Sequence, residues 1–145
     1  MAAEFSIDRH TGTIRIGEVT SVAAHQPKVD VLLRVSELIT GFRDLGNGYD
    51  WLDLRKLTFG GQPAALSLCF HHGLLSQAGW SVQLPDAPAE DGWPTREAID
   101  AELAFVRRAL DEMGVGTGHL SWGEVWSGFD EKGFLASSGL RYLPA

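Results

Sequence analysis

The sequence predicts an α+β domain: an antiparallel sheet of about six to seven strands, with one long amphipathic helix (95–113) and one shorter helix packed on it. Short stretches of alternating apolar residues recur along the chain, turns join most of them directly, and one longer stretch has helical periodicity. Strands joined mainly by hairpins, with helices set apart, indicate α+β rather than a parallel α/β fold. With 145 residues and no linker or internal repeat, residues 1–145 have the size of a single domain.

The first predicted elements are a hairpin and a short helix. Residues 5–16 alternate apolar and polar positions on both sides of a turn in which Gly12 can take a positive φ. Residues 27–39 fit both a helix and a strand, because apolar residues recur there at both periods. Pro27 suits a first helical turn, so we expect a short helix that begins near it.

Three strands are predicted next, at 50–59, 64–70 and 74–84, and they form an antiparallel meander because only short turns separate them. The loop 85–94, rich in proline and acidic residues, separates this meander from the long helix.

The long helix, 95–113, has one apolar stripe, which predicts one face packed on the sheet. Thr95 can cap its first turn and Gly114 can end it. Residues 122–142 predict a last hairpin, in which Asp130 and Gly133 occupy the first and fourth positions of the turn.

Composition narrows the classes of function. The net charge of −7, from 19 acidic and 12 basic residues, opposes binding to nucleic acid or to an anionic membrane surface. The single cysteine excludes an internal disulfide, and the sequence has neither a signal-peptide pattern nor an apolar stretch long enough to cross a membrane. These features predict a cytoplasmic protein.

No catalytic motif, cofactor-binding motif or metal-ligand spacing stands out, so we expect no catalytic residues, no cofactor and no metal. Cys69 and His71 would share one face of a strand and could form a nucleophile pair. A small enzyme or ligand-binding protein with a site near Cys69, His71 and Asp53 therefore remains an alternative. A free cysteine between Leu68 and Phe70 is more often a small buried residue.

Two clusters mix aromatic and acidic side chains, the first in residues 49–53 and the second in residues 86–93. This combination is suited to contact area and electrostatic specificity in a protein interface. We therefore predict that another protein is bound by the following residues: Tyr49, Asp50, Asp53, Asp86, Glu90, Asp91 and Trp93.

Several short motifs carry a resemblance to a known group of proteins. They are Trp122-Gly-Glu-Val, Phe129-Asp-Glu-Lys-Gly and Leu140-Arg-Tyr in the last hairpin, with Thr11-Gly-Thr-Ile-Arg-Ile-Gly, Phe59-Gly-Gly and Leu68-Cys-Phe before it. Together they resemble small bacterial proteins of the toxin-immunity type. The resemblance implies a cytoplasmic protein that binds and blocks a cognate toxin without catalysis, and the acidity of this chain would suit a basic toxin. A homo-oligomeric structural subunit, paired through a strand edge, is a further alternative.

Overall fold

The computed structural model of the protein describes residues 2–145, and most of the regular structure in them is strand. The helices are α1 (Lys28–Val35), followed by a short 3₁₀ turn (Ser36–Leu38), and α2 (Arg96–Glu112). The strands are β1 (Ala3–Ile7), β2 (Ile14–Ile16), β3 (Thr20–Val22), β4 (Ile39–Asp44), β5 (Tyr49–Phe59), β6 (Gln62–His71), β7 (Leu74–Val82), β8 (Ala89–Glu90), β9 (Trp93–Pro94), β10 (Gly118–Leu120), β11 (Gly123–Asp130) and β12 (Leu135–Tyr142).

Within the described residues, ten strands form one sheet in the order β10–β11–β12–β7–β6–β5–β1–β2–β3, with β4 also paired to β5, and β8 and β9 form a separate ribbon. The sheet is mixed, because β1 runs parallel to β5 through the pair Ala3–Leu57. The predicted fold, an antiparallel sheet of six to seven strands, is therefore wrong. Strands of three residues, such as β3 and β10, are too short to show alternation, and β4 begins at the last residue of the stretch where the helical and strand periods compete.

Several predicted elements lie where the sequence placed them. The long helix begins after Thr95, whose side-chain hydroxyl accepts a hydrogen bond from the Ala98 amide at 3.2 Å. It ends before Gly114, which has a φ of +78°. In the last hairpin, the Asp130 carboxylate accepts a hydrogen bond from the Lys132 amide at 3.0 Å, as the predicted turn requires.

The core lies on one face of the sheet. Directly paired positions on five strands place apolar side chains in a row across this face: Leu52, Leu68, Ala78, Leu140 and Val125. Both helices contribute to the same buried cluster, so they cover the same face. Neither helix covers the opposite face, which we call the outer face.

The N-terminal hairpin is held to the C-terminal strands by a contact that we call the clamp, formed by Gly12, Trp122 and Tyr142. The Tyr142 hydroxyl donates a hydrogen bond to the Gly12 carbonyl at 2.6 Å, and the Trp122 indole N–H donates to the Arg9 carbonyl at 2.9 Å. Gly12 has a φ of +74°, and a Cβ there would lie 2.5 Å from the Trp122 ring. Only glycine fits this position without strain.

Candidate functional site

The first predicted cluster is divided between the two faces of the sheet. Asp50 lies on the helix-covered face and forms an ion pair with Lys28 of α1 at 3.0 Å. Asp53 lies on the outer face, since side chains an odd number of residues apart on a strand point in opposite directions. The Tyr49 ring stacks on the His71 ring with centroids 4.3 Å apart. The structure therefore does not bring Asp50 and Asp53 into one surface.

Asp53 is bound by neighbouring side chains of the same chain. Arg43 donates a hydrogen bond to it at 2.9 Å, and the Ser67 hydroxyl donates another at 2.7 Å. Burial raises the pKa of Asp53, but these hydrogen bonds outweigh burial and hold the pKa of the carboxyl below its ordinary value. Its charge is thus stabilised within the fold.

The outer face around Asp53 is a shallow groove of about 620 Å³ with a floor of small residues. Five directly paired positions form a row on the outer face, and the first three of them line the groove: Asp53, Ser67, Gly79, Gly139 and Trp126. Arginine side chains lie over tryptophan rings near both ends of this row, Arg43 over Trp51 and Arg141 over Trp126. Both are contacts between side chains of the same sheet, and neither arginine fills the groove.

Cys69, His71 and Asp53 do not meet in one cavity. Cys69 is only 1% exposed, and burial raises the pKa of its thiol. His71 lines a cavity of about 380 Å³, Asp53 lines the outer groove, and Cys69 lines neither. In residues 2–145 no three potential metal ligands lie together, and no helix there is long and apolar enough to cross a membrane.

The second predicted cluster lies in one exposed surface. Residues 86–94, which we call the acidic hairpin, contain the ribbon of β8 and β9, in which Glu90 pairs with Trp93. Asp91 and Gly92 have φ angles of +52° and +82°, which is the backbone of a two-residue type I′ turn. Trp93 is 64% exposed, and the exposed residues Glu90 and Asp91 line a cavity with it. Asp86, at the start of the hairpin, is exposed as well.

The tip of the last hairpin extends this surface, which the sequence did not predict. Phe134 and Leu135 are each 45% exposed, and Phe134 has a φ of +51°, an unusual conformation for an aromatic residue. Glu90, Trp93 and Phe134 line the same cavity of about 480 Å³. An apolar pair directly after the Gly133 turn was the available sequence signal.

A second opening, the β7–β12 cleft, lies next to the acidic hairpin. The two strands pair from Gln77–Arg141 as far as Trp80–Ser138. Beyond that point the end of β7, up to Val82, and the start of β12, from Leu135, do not pair with each other. This gap holds a cavity of about 430 Å³ between β7, β12 and α2. Pro94 lines both this cavity and that of the acidic hairpin, so the two surfaces are continuous.

Glu102 is the acidic side chain in the wall of the β7–β12 cleft. The Val82 amide donates a hydrogen bond to its carboxylate at 3.2 Å, at the point where a strand paired to β7 would otherwise bind. Burial raises the pKa of Glu102, and the hydrogen bond from Val82 offsets only part of this effect. The sequence analysis did not identify Glu102.

No family model matches this chain, and a search of curated proteins finds no significant match. Among solved structures, a chain of the complex described as "Rhs1-CT in complex with cognate immunity protein RhsI1" is similar in fold, with a TM-score of 0.56. The two chains have 10% sequence identity, and the alignment covers 97% of this chain and 86% of that chain. The likeness therefore extends over nearly the whole fold.

Proposed function

We propose that this protein is an immunity-type inhibitor, which binds a cognate toxin protein and blocks it without catalysing a reaction. The observation that carries the proposal is the similarity of fold, over 97% of this chain, to a chain of a complex containing a cognate immunity protein. The motifs that resemble toxin-immunity proteins point in the same direction.

The exposed surface supports a role in protein binding. The acidic hairpin presents Trp93 beside the carboxylates of Glu90 and Asp91, in a cavity that Arg96 and Phe134 also line. The exposed side chain of Leu135 follows Phe134 in the chain and adds to the apolar area. Exposed aromatic side chains supply contact area that a partner can bury, and carboxylates around them attract basic side chains. We propose that Asp86, Glu90, Asp91 and Trp93 bind a basic toxin. Tyr49, Asp50 and Asp53 already contact other parts of this chain, so we give them a smaller role.

A selection experiment tests the function. Fragments of the native genome would be cloned into a bacterial host with and without expression of this chain. We expect at least one fragment that can be maintained only with the chain present. Its product should arrest growth alone and form a stoichiometric complex with the purified chain, measured by titration calorimetry.

Two outcomes would contradict the proposal. One is a saturating selection in which no fragment depends on the chain. The other is growth arrest by the chain alone, which would make it the toxic member of a pair.

A further inference from the structure

The β7–β12 cleft combines apolar walls with one carboxylate. Its apolar lining includes Leu84, Ile99 and Leu135, and the Glu102 carboxylate lies among them. The cleft is open on the surface next to the acidic hairpin, because both cavities reach Pro94. A side chain entering it would therefore meet apolar surface along its length and a negative charge.

Glu102 lacks an ionic partner in its own chain. Within residues 2–145, none of the ion pairs includes Glu102, and the Val82 amide is its hydrogen-bond donor. One hydrogen bond leaves most of the acceptor capacity of a carboxylate free. A partly buried charge without a counter-ion costs stability, and a cation brought to it would relieve that cost.

Lysine and arginine match this arrangement. Both have a flexible aliphatic stem that packs on apolar surface and a charged end group that pairs with a carboxylate. The neighbouring carboxylates of Glu90 and Asp91 would attract a basic segment towards the opening. We propose that the β7–β12 cleft binds a lysine or arginine side chain of the partner protein, with Glu102 as its counter-ion. This inference rests on the proposed function and adds the chemistry that the partner must present.

The binding of a single basic side chain can be measured without the partner. N-acetyl-arginine N-methylamide would be titrated into the isotopically labelled protein, with the Val82 amide followed by NMR. The matched control ligand is N-acetyl-citrulline N-methylamide, which has nearly the same shape but no charge. We expect saturable chemical-shift changes at the Val82 amide with the arginine compound. The citrulline compound should bind with an affinity at least about tenfold lower.

Two variants on α2 separate the cleft from general charge effects. Glu102→Gln keeps an oxygen that can accept the Val82 hydrogen bond, so the fold should remain, while the charge is lost. Glu112→Gln removes a charge from an exposed position on the same helix. We expect Glu102→Gln to abolish the preference for arginine over citrulline and Glu112→Gln to keep it. Equal binding of the two ligands by the wild type, or an unchanged preference in Glu102→Gln, would overturn the proposal.

The titration and the genomic selection can fail separately. If the toxin is neutralised equally well by the wild type and by Glu102→Gln, the cleft assignment is wrong while the inhibitor function stands. If the cleft prefers arginine but no genomic fragment depends on the chain, the proposed function is wrong.

Discussion

The clamp and the β7–β12 cleft are opposite kinds of contact within the same sheet: the clamp holds together strands that are distant in the strand order, and the cleft separates two strands that are neighbours. At the clamp, Tyr142 and Trp122 satisfy backbone carbonyls of the N-terminal hairpin, and Gly12 leaves no room for another atom. At the cleft, two strands separate, and Glu102 lies between them with a single hydrogen-bond donor. The polar groups of the clamp are hydrogen-bonded within the chain, whereas the cleft and the acidic hairpin leave apolar and acidic side chains accessible to a partner.

This difference separates stability from binding. Close-packed and hydrogen-bonded groups contribute to the free energy of unfolding, and exposed aromatic or partly buried charged groups contribute little or reduce it. The motif residues Gly12, Trp122 and Tyr142 belong to the clamp, so we interpret them as structural. We expect the partner to bind at the acidic hairpin and the β7–β12 cleft, where aromatic and acidic side chains stay accessible.

The largest effect is expected when the clamp loses its glycine. Gly12→Ala must accommodate a methyl group against the Trp122 ring and a positive φ, so the free energy of unfolding should fall by about 2–4 kcal/mol. Urea denaturation measures this change. Gly61→Ala is the matched control, because Gly61 also has a positive φ but has no atom within 4 Å of the added Cβ. Equal losses in the two variants would show that the clamp packing is unimportant.

The acidic hairpin should respond in the opposite way. Trp93→Ala removes an exposed side chain, so stability should stay within about 0.5 kcal/mol of the wild type. Affinity for the toxin should fall by about 2 kcal/mol or more, roughly 30-fold, if Trp93 is an anchor of the interface. Calorimetry with the selected toxin measures this, and Val19→Ala, at another exposed apolar position, serves as the control. An unchanged affinity would place the interface elsewhere.

A smaller effect is expected from the clamp hydroxyl. Tyr142→Phe leaves the Gly12 carbonyl without its donor in a buried site, so we expect a loss of about 1–2 kcal/mol in the free energy of unfolding. Tyr49→Phe is the control, because the Tyr49 side chain is partly exposed. Thermal denaturation of both variants would show whether the loss is specific to the clamp.

The smallest effect concerns the outer face and depends on pH. The pKa of Asp53 is lower in the folded state than in the unfolded state, so its ionised form stabilises the fold. This contribution is fully present above about pH 4 and is lost as the pH falls through the lowered folded-state pKa. Asp53→Asn should therefore be slightly less stable than the wild type at neutral pH, and the difference should shrink in acid. A difference that is constant with pH, or matched by the exposed variant Glu18→Gln, would contradict this account.

The local elements could be predicted where the pattern was long. The apolar stripe of α2 and the alternation of β5 to β7 are strong signals because many residues repeat them. The parallel pairing of β1 with β5 could not be read, because nothing near Ala3 specifies a partner more than fifty residues away. Three-residue strands are likewise below the length at which alternation is visible.

The site was only partly readable. Asp91-Gly92 between Glu90 and Trp93 is a strong signal for a tight hairpin, although the sequence analysis described this segment only as a loop. The structure exposes the cluster, and its role in binding stays a prediction. Glu102 follows Ala98 and Ile99 by four and three residues, so it interrupts the apolar face of α2, which was a signal for a buried acid. The cleft itself depends on where β12 separates from β7, a long-range feature that no local pattern specifies.

Hydrogen exchange of the protein alone and in complex with the selected toxin tests the central claim most directly. We predict new protection in the acidic hairpin, in the first turns of α2 around Glu102 and at residues 134–137, with exchange around Gly12 and Tyr142 already slow and unchanged. New protection confined to the N-terminal hairpin and the clamp, with the acidic hairpin still exchanging freely, would contradict the assignment of binding to the acidic hairpin and the β7–β12 cleft.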